Sequence, residues 1–341
     1  MPSFVEVFRG PYVESRHRVH ACVVRPDGAG VAHTGDPSVV TFWRSAAKFF
    51  QAVPLVTSGA ADALAIPAEE LALACASHNG EPRHVDVARR LLERSGSVER
   101  DLHCGPHPSL NEDLAKTQAY QGEFLSRLHS NCSGKHAGML AVAVHRGWDK
   151  AGYEKREHPI QRGARAVVSR WSGVAEADVA WATDGCGVPT FALPVSGMAL
   201  AYARLAAAAG GEAGATVVPD EEASAVARLV HAVQGDPFLL AGTDRLDTDL
   251  LTASRGRILA KVGADGIYCA ALLDQQVGVA LKVEDGATRA LAPALLAILD
   301  LLAPGALPGL DDWRRRPVLN SNDLVVGEIR ARIELANGAP K

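Results

Sequence analysis

Three short patterns in this chain put hydroxyls and amines where they could work in pairs. They are Ser45-Ala46-Ala47-Lys48, Ser77-His78-Asn79 and Lys261-Val262-Gly263. A serine three residues before a lysine on a helix places the two groups on one face, one turn apart. A lysine kept neutral by burial or by a nearby cation can take the serine proton and leave an acyl-accepting oxygen. If Ser45 opens a helix, its backbone N–H is among the unpaired donors of the first turn and can hold a developing oxyanion. Taken alone, the pattern also fits a capping serine and a surface lysine. Ser77-His78-Asn79-Gly80 follows an apolar stretch and carries an Asn-Gly turn signal, so a plain helix end fits it too. There Ser77 could relay a proton, with His78 or Asn79 holding substrate. Lys261 interrupts the apolar run Ile258–Val262, where an amine needs either a task or an edge from which to reach solvent.

Two further segments gather thiols. Asn131-Cys132-Ser133-Gly134-Lys135-His136 and Thr183-Asp184-Gly185-Cys186-Gly187-Val188-Pro189 both read as glycine-bracketed loops. Two thiolates with a nitrogen or oxygen donor can bind zinc, with water in the remaining place. Lys135 would be an unconventional ligand, because only the neutral amine can donate. Free cysteines, a disulfide, or a helix start capped by Ser133 fit the same residues. His103-Cys104-Gly105-Pro106-His107-Pro108 reads as a proline-rich loop with surface histidines. Arg314-Arg315-Arg316 reads as a solvated face.

The elements that must position these groups change along the chain. Val5–Phe8, Val19–Arg25 and Val39–Trp43 are β-branched or aromatic runs, and Pro26-Asp27-Gly28 marks a turn. Helical periodicity then dominates. Ser45–Ser58 is expected as a helix kinked or ended by Pro54. More helices are expected from Pro67, over Val85–Arg94, His136–Val144, Arg162–Trp171, Ala192–Ala209, Glu221–Val233 and Thr243–Leu250. Strands return at Ile258–Val262, Ile267–Leu273 and Val277–Val283, then a helix at Ala290–Leu302 and a strand at Leu324–Leu335. Gly210–Val218 is the best surface-loop candidate. Strands at both ends with helices between predict an α+β (α/β sandwich) fold. One antiparallel sheet would come from about 1–44 and 256–341, with a helical lobe over about 60–255, all in a single domain spanning 1–341.

Composition narrows the function classes. The chain has 341 residues, 48% of them hydrophobic and 22% charged, which supports a sizeable core. A net charge of -4 argues against a nucleic-acid partner, which would need a basic face, and against a membrane surface. The N-terminus lacks the basic start and apolar run of a signal peptide, and no stretch has the length of a membrane span. Six cysteines in a chain this size are not a disulfide scaffold. A cytoplasmic enzyme with a small-molecule substrate is expected.

The order Ser-x-x-Lys, Ser-x-Asn, Lys-x-Gly is that of serine β-lactamases and penicillin-binding proteins. Together with Arg9-Gly10, Val13-Glu14-Ser15, Trp43-Arg44, Cys75-Ala76, the two cysteine segments and Ala260–Gly266, the set resembles the class 3 L-asparaginases of the asparaginase II family, over roughly residues 5 to 335. The resemblance implies a fold similar to serine β-lactamases and glutaminases, a homodimer, and hydrolysis of L-asparagine to L-aspartate and ammonia. It implies two serine–lysine couples, Ser45 with Lys48 and Ser77 with Lys261, and a zinc site at Cys132, Lys135 and Cys186. Ser45 is expected to attack, with the Ser77/Lys261 couple as the alternative. Asp184 is the candidate partner of the substrate amine, with Lys135, His136 or Arg44 near its carboxylate. The early position of Ser-x-Asn, and a family that needs no deacylating glutamate, argue against β-lactam hydrolysis. A β-lactamase-like or peptidase-like hydrolase and a non-catalytic zinc-stabilised amino-acid binder remain as alternatives.

Overall fold

The computed structural model describes residues 3–211 and 217–338, so 212–216, in the loop expected at Gly210–Val218, lie outside the described residues. In chain order the strands are β1 (Ser3–Arg9), β2 (Tyr12–Val24), β3 (Gly30–Thr34), β4 (Val40–Phe42), β5 (Ala180–Thr183), β6 (Pro189–Pro194), β7 (Ile258–Gly263), β8 (Ile267–Leu272), β9 (Val277–Val283), β10 (Arg315–Leu319), β11 (Val325–Arg332) and β12 (Ala336–Asn337). The helices are α1 (Lys48–Thr57), α2 (Ala60–Ala63), α3 (Ala68–Ala74), α4 (Pro82–Arg94), α5 (Glu112–Gln121), α6 (Ser133–His145), α7 (Pro159–Ser172), α8 (Val195–Ala209), α9 (Asp220–Gly235), α10 (Leu246–Ala253), α11 (Leu291–Leu302) and α12 (Asp311–Arg314). The fold is α+β, and the contacts divide the chain into two units.

The first unit comprises Met1–Ala46, Leu193–Ala207 and Asp249–Lys341. Its sheet runs β10-β11-β1-β2-β9-β8-β7, with β3 pairing β2 and β12. Its ladders among the described residues are antiparallel, and both ends of the chain contribute strands to this one sheet. Strand β1 alternates buried Val5 and Val7 with half-buried Phe4 and Glu6, the period-2 pattern of a strand with one covered face. Strand β8 is buried throughout. Helix α11 packs on β1, β8 and β11. Gly278 of β9 lies so close to α8 that a Cβ would overlap the Ala199 carbonyl and the Ala203 nitrogen. Only glycine permits that helix-on-sheet distance. At the outer edge, β10 carries exposed Arg315, Arg316 and Pro317.

The second unit comprises Ala47–Ala192 and Ala208–Thr248. It begins before the expected residue 60, and Leu193–Ala207 belongs to the first unit instead. Helix α1 packs on α6, α7 and α9, and α3 packs on α4, α6 and α9. The ring centroids of Phe50 and Trp171 are 5.5 Å apart at its centre. Strands β5 and β6 form a hairpin with Thr183 opposite Pro189. Strand β6 occupies the start of the segment expected as helix Ala192–Ala209; the helix begins only at Val195. The expected helix Ser45–Ser58 is likewise a 3-10 turn, Arg44–Ala47, followed by α1, which continues through Pro54 to Thr57.

Candidate active site

Helix α3 ends at Ala74, and the chain then passes through Ser77, His78 and Asn79, all buried. Lys48, the first residue of α1, points its amine at this turn. Its Nζ lies 2.9 Å from Ser77 Oγ and 3.1 Å from the Asn131 carbonyl, and it also bonds the Ala76 carbonyl. Lys48 is fully buried, and burial lowers its pKa; the Lys135 charge helps, while Cys132 opposes. In its neutral form the amine has two N–H donors and one lone pair, so two carbonyls can take the donors and leave the lone pair facing Ser77 Oγ.

The turn itself is tightly held. The Ser77 N–H donates to Leu240 O at 3.0 Å, and the Asn79 N–H to Ala241 O at 2.9 Å. Asn79 is engaged at both ends of its amide: Nδ2 donates to Thr243 O and Glu81 Oε1, and Oδ1 accepts from Arg245. His78 is similarly occupied. Its Nδ1 accepts from Gly80 N–H at 3.1 Å, so its Nε2 carries the hydrogen and donates to Ser133 Oγ at 3.0 Å. Its ring stacks on His84, which stacks on Phe238, with centroids 4.9 Å and 4.5 Å apart. Burial, then the neighbouring His84, hold the His78 pKa well below the usual histidine value. His78 and Asn79 thus hold the turn through the bonds of their side chains.

The thiol cluster lies in the same unit. Helix α6 opens at Ser133, directly after Cys132, and Cys186 sits in the β5–β6 turn. The Cys132 thiol donates to Cys186, and Lys135 Nζ donates to Cys186 Sγ at 3.2 Å. The Cys132 bond and the Lys135 charge pull Cys186 down to about 5 against burial, while Cys132 is pushed up to about 12 by the same bond and by burial. Burial disfavours charge on Lys135, but the charges of Cys186, Cys132 and Asp184 outweigh it and raise its pKa. Among the described residues no three His, Cys, Asp or Glu side chains gather as a metal site. Cys186 with Cys132 on one side and the Lys135 amine on the other nevertheless fits a zinc ion's taste for thiolate and nitrogen, with the lysine as the third donor.

His136 follows in α6. The His103 N–H donates to Tyr153 Oη at 3.0 Å, and the Tyr153 hydroxyl reaches His136 Nδ1 at 2.6 Å. With Nδ1 accepting from the phenol, the ring hydrogen sits on Nε2, which has no partner although it is buried. Burial, then the Lys135 charge, lower the His136 pKa to about 3, so the ring is neutral. An unpartnered buried N–H costs stability and is a donor prepared for an acceptor from outside. Asp184 is half-buried, and its Oδ1 accepts from Gly185 N–H at 2.8 Å.

Comparison with known proteins adds the decisive observation: the sequence matches the L-asparaginase II family over residues 5–331. The chain belongs to that family. It is an amidohydrolase. No curated protein matches it. Two solved structures are similar at low identity. One is a probable glutaminase from Bacillus subtilis complexed with 6-diazo-5-oxo-L-norleucine, 14% identical, covering 83% of this chain and 84% of that one at a TM-score of 0.33. The other is a Bacillus glutaminase in the presence of 4.3 M NaCl, also 14% identical, covering 83% and 90% at a TM-score of 0.35.

The remaining sequence-predicted residues of this L-asparaginase II family member lie in the first unit. Ser45 is half-buried in the 3-10 turn. The turn is anchored within its unit by the Tyr202 hydroxyl, which donates to Ala46 O at 2.8 Å. Arg44 adopts φ 53°, a left-handed backbone rare outside glycine, and its guanidinium pairs with Asp265. Lys261 is fully buried on β7, and its Nζ donates to Val262 O at 3.0 Å. A Cβ on Gly263 would lie 2.8 Å from Trp43 O, so the end of β7 is pressed against the turn that carries Ser45.

The expected couples Ser45–Lys48 and Ser77–Lys261 each take one residue from each unit. The couple seen inside one unit is Lys48 with Ser77. Tyr153 and Arg245 escape sequence reading, and Asn131 and Ser133 are visible there only as neighbours of Cys132. Asn131 acts through its carbonyl, which no side chain signals, and the other three are joined to the site only by the fold.

Proposed function

We propose that this amidohydrolase is an L-asparaginase, converting L-asparagine to L-aspartate and ammonia. The observation that carries the reading is the Lys48–Ser77 contact, with two carbonyls absorbing the other Lys48 hydrogens, in a chain of the L-asparaginase II family. Lys48 takes the Ser77 proton as Oγ bonds to the side-chain amide carbon. The same lysine returns the proton to the nitrogen as the C–N bond breaks and ammonia leaves. Water, deprotonated by Lys48, then cleaves the aspartyl ester and regenerates the serine. Ser77 takes the attacking role that the sequence reading gives to Ser45. Ser45 and Lys261 keep a proposed part in proton relay, which single substitutions test.

Substrate recognition is assigned to the unused donor His136 Nε2 for the α-carboxylate and to Asp184 for the α-amine. Zinc is proposed at Cys132, Lys135 and Cys186; when bound, it would organise the two loops and add positive charge beside the substrate. A cytoplasmic homodimer belongs to the same proposal, and light scattering reads the dimer. Among the described residues no helix is long and apolar enough to cross a membrane.

The test is ammonia release from L-asparagine, compared with L-glutamine and a β-lactam, followed by mass spectrometry of an adduct trapped with an electrophilic substrate analogue. Turnover of asparagine with the adduct on Ser77 is expected. No turnover refutes the substrate, and an adduct on Ser45 refutes the attacking role.

A further inference from the structure

We propose that His107 is a positioning residue for Lys48, acting through Asn131; the inference rests on Lys48 being a base of the reaction and holds whichever serine attacks. The Asn131 carbonyl accepts from Lys48 Nζ at 3.1 Å. The N–H of the same residue donates to His107 Nε2 at 2.9 Å, and its side-chain amide lies 3.2 Å from that nitrogen. The other ring nitrogen, Nδ1, lies 2.7 Å from Pro108 O, which can only accept. Nδ1 therefore carries the hydrogen and Nε2 the lone pair, the tautomer that the Asn131 N–H requires. Residue 131 is gripped between an imidazole on one side and the amine on the other.

The loop that presents His107 is built to hold still. Its sequence is Pro106-His107-Pro108. Each proline fixes its own φ, and Pro108 also restricts the backbone of His107. Both prolines are exposed, so they add stiffness rather than core packing. The loop is tied down on both sides. The His103 N–H donates to Tyr153 Oη at 3.0 Å and Cys104 is buried, while the Ser109 N–H donates to Gln118 Oε1 in α5 at 3.1 Å. His107 is half-buried with both ring nitrogens engaged, and not the surface histidine that the proline-rich sequence suggests. Lys48 has a long flexible stem, so its amine is aimed by the acceptors it finds. An imidazole on a stiff mount fixes where residue 131 stands, and so where its carbonyl meets that amine.

The experiment compares the wild type with His107→Ala, His107→Asn and His107→Gln. In the glutamine variant Oε1 falls near the place of Nε2 and can accept from the Asn131 N–H. In the asparagine variant Nδ2 falls near the place of Nδ1 and can keep the Pro108 bond, but nothing reaches Asn131. Two rates are read: kcat with KM for asparagine, and labelling of the reactive serine by a fluorophosphonate, wherever mass spectrometry locates it. The alanine and asparagine variants are expected to lose about 10-fold or more in kcat with KM nearly unchanged, and to label more slowly by a similar factor. The glutamine variant should recover most of both rates. If the alanine variant fails to fold, the contrast between asparagine and glutamine carries the test. An asparagine variant at the wild-type rate, a glutamine variant as slow as the asparagine one, or a raised KM at unchanged kcat overturns the proposal. A wild type that labels but ignores asparagine condemns the asparaginase reading alone, and labelling then decides the role of His107. A Lys48→Met enzyme that labels at the wild-type rate removes the base and this inference with it.

Discussion

Gly134, in the first turn of α6, faces the carbonyl of Leu73 in α3 so closely that a methyl group there would overlap it. Helix α3 leads into Ser77, and the first turn of α6 carries Cys132 just before it and Lys135 within it. One backbone contact therefore sets the spacing between the serine–lysine couple and the thiol cluster. Gly134→Ala must push these helices apart, and it is expected to cost about 3 kcal/mol or more. Gly138→Ala, one turn later, meets a Leu55 methyl at 3.4 Å and the Ala74 Cβ at 3.5 Å, and should cost much less. Urea unfolding of both variants measures the contrast.

Replacing Lys48 by Met keeps the volume and removes the base. We expect kcat to fall by at least about 1000-fold. The carbonyls of Ala76 and Asn131 lose their donor, which should cost about 1–3 kcal/mol. Activity would thus disappear from a protein that circular dichroism reads as folded. A Lys48→Met enzyme with substantial turnover would remove the lysine from the mechanism.

The stacked histidines predict how stability responds to acid. The pKa of His84 is lowered in the folded state, chiefly by burial, and that of His78 lies lower still. The unfolded chain binds protons on both below about pH 6.5, whereas the folded chain refuses them until the pH reaches the depressed folded values. The contribution is therefore complete above about pH 6.5 and is lost as pH falls. Each ring contributes at most about 1.4 kcal/mol per pH unit to that loss. His84→Gln, which keeps a donor for Phe238 O, should flatten the fall in stability between pH 6.5 and 4.5 by up to that amount. Unchanged slopes in denaturant titrations across that window would contradict the argument.

The thiol cluster predicts zinc binding with a lysine in the donor set. Cys186→Ser should weaken zinc binding by about tenfold or more, since the most thiolate-like donor is lost. Lys135→Met should weaken it too, and protons should be released as zinc binds, because an ammonium cannot donate a lone pair. Competition with a chromophoric chelator measures the affinities, and calorimetry in two buffers measures the protons. Equal affinities in all three proteins would place any zinc elsewhere.

Much of this architecture is legible in the chain because its strands are short and strongly patterned. Val5–Phe8, Ile258–Val262, Ile267–Leu273 and Val277–Val283 all fall on observed strands, within a residue or two. The errors have physical causes. Tyr12–Arg18 extends β2 by half its length, yet it is mostly exposed and, after Tyr12 and Val13, holds only polar or charged residues, so it carries no apolar alternation. Helix α5 is almost wholly exposed, so its face leaves no stripe to detect. The arginine run at 314–316 reads as solvated, and Arg315 and Arg316 are, although they form an edge strand and Arg314 pairs with Asp300. In the site, residue types are visible from the sequence, while the Lys48–Ser77 contact is not signalled by any local spacing, because the end of α3 lies against α1 only after folding.

The outermost strand of the sheet also bears on behaviour at high concentration. A sheet rim normally invites the strand of another molecule, and that invitation leads to fibres. One rim here is β10: Pro317 has no N–H to offer, and the two guanidiniums of Arg315 and Arg316 repel an identical approaching copy. A chain with Pro317→Thr and Arg316→Val should lose this protection and scatter light on standing, with catalysis in the freshly prepared enzyme unaffected.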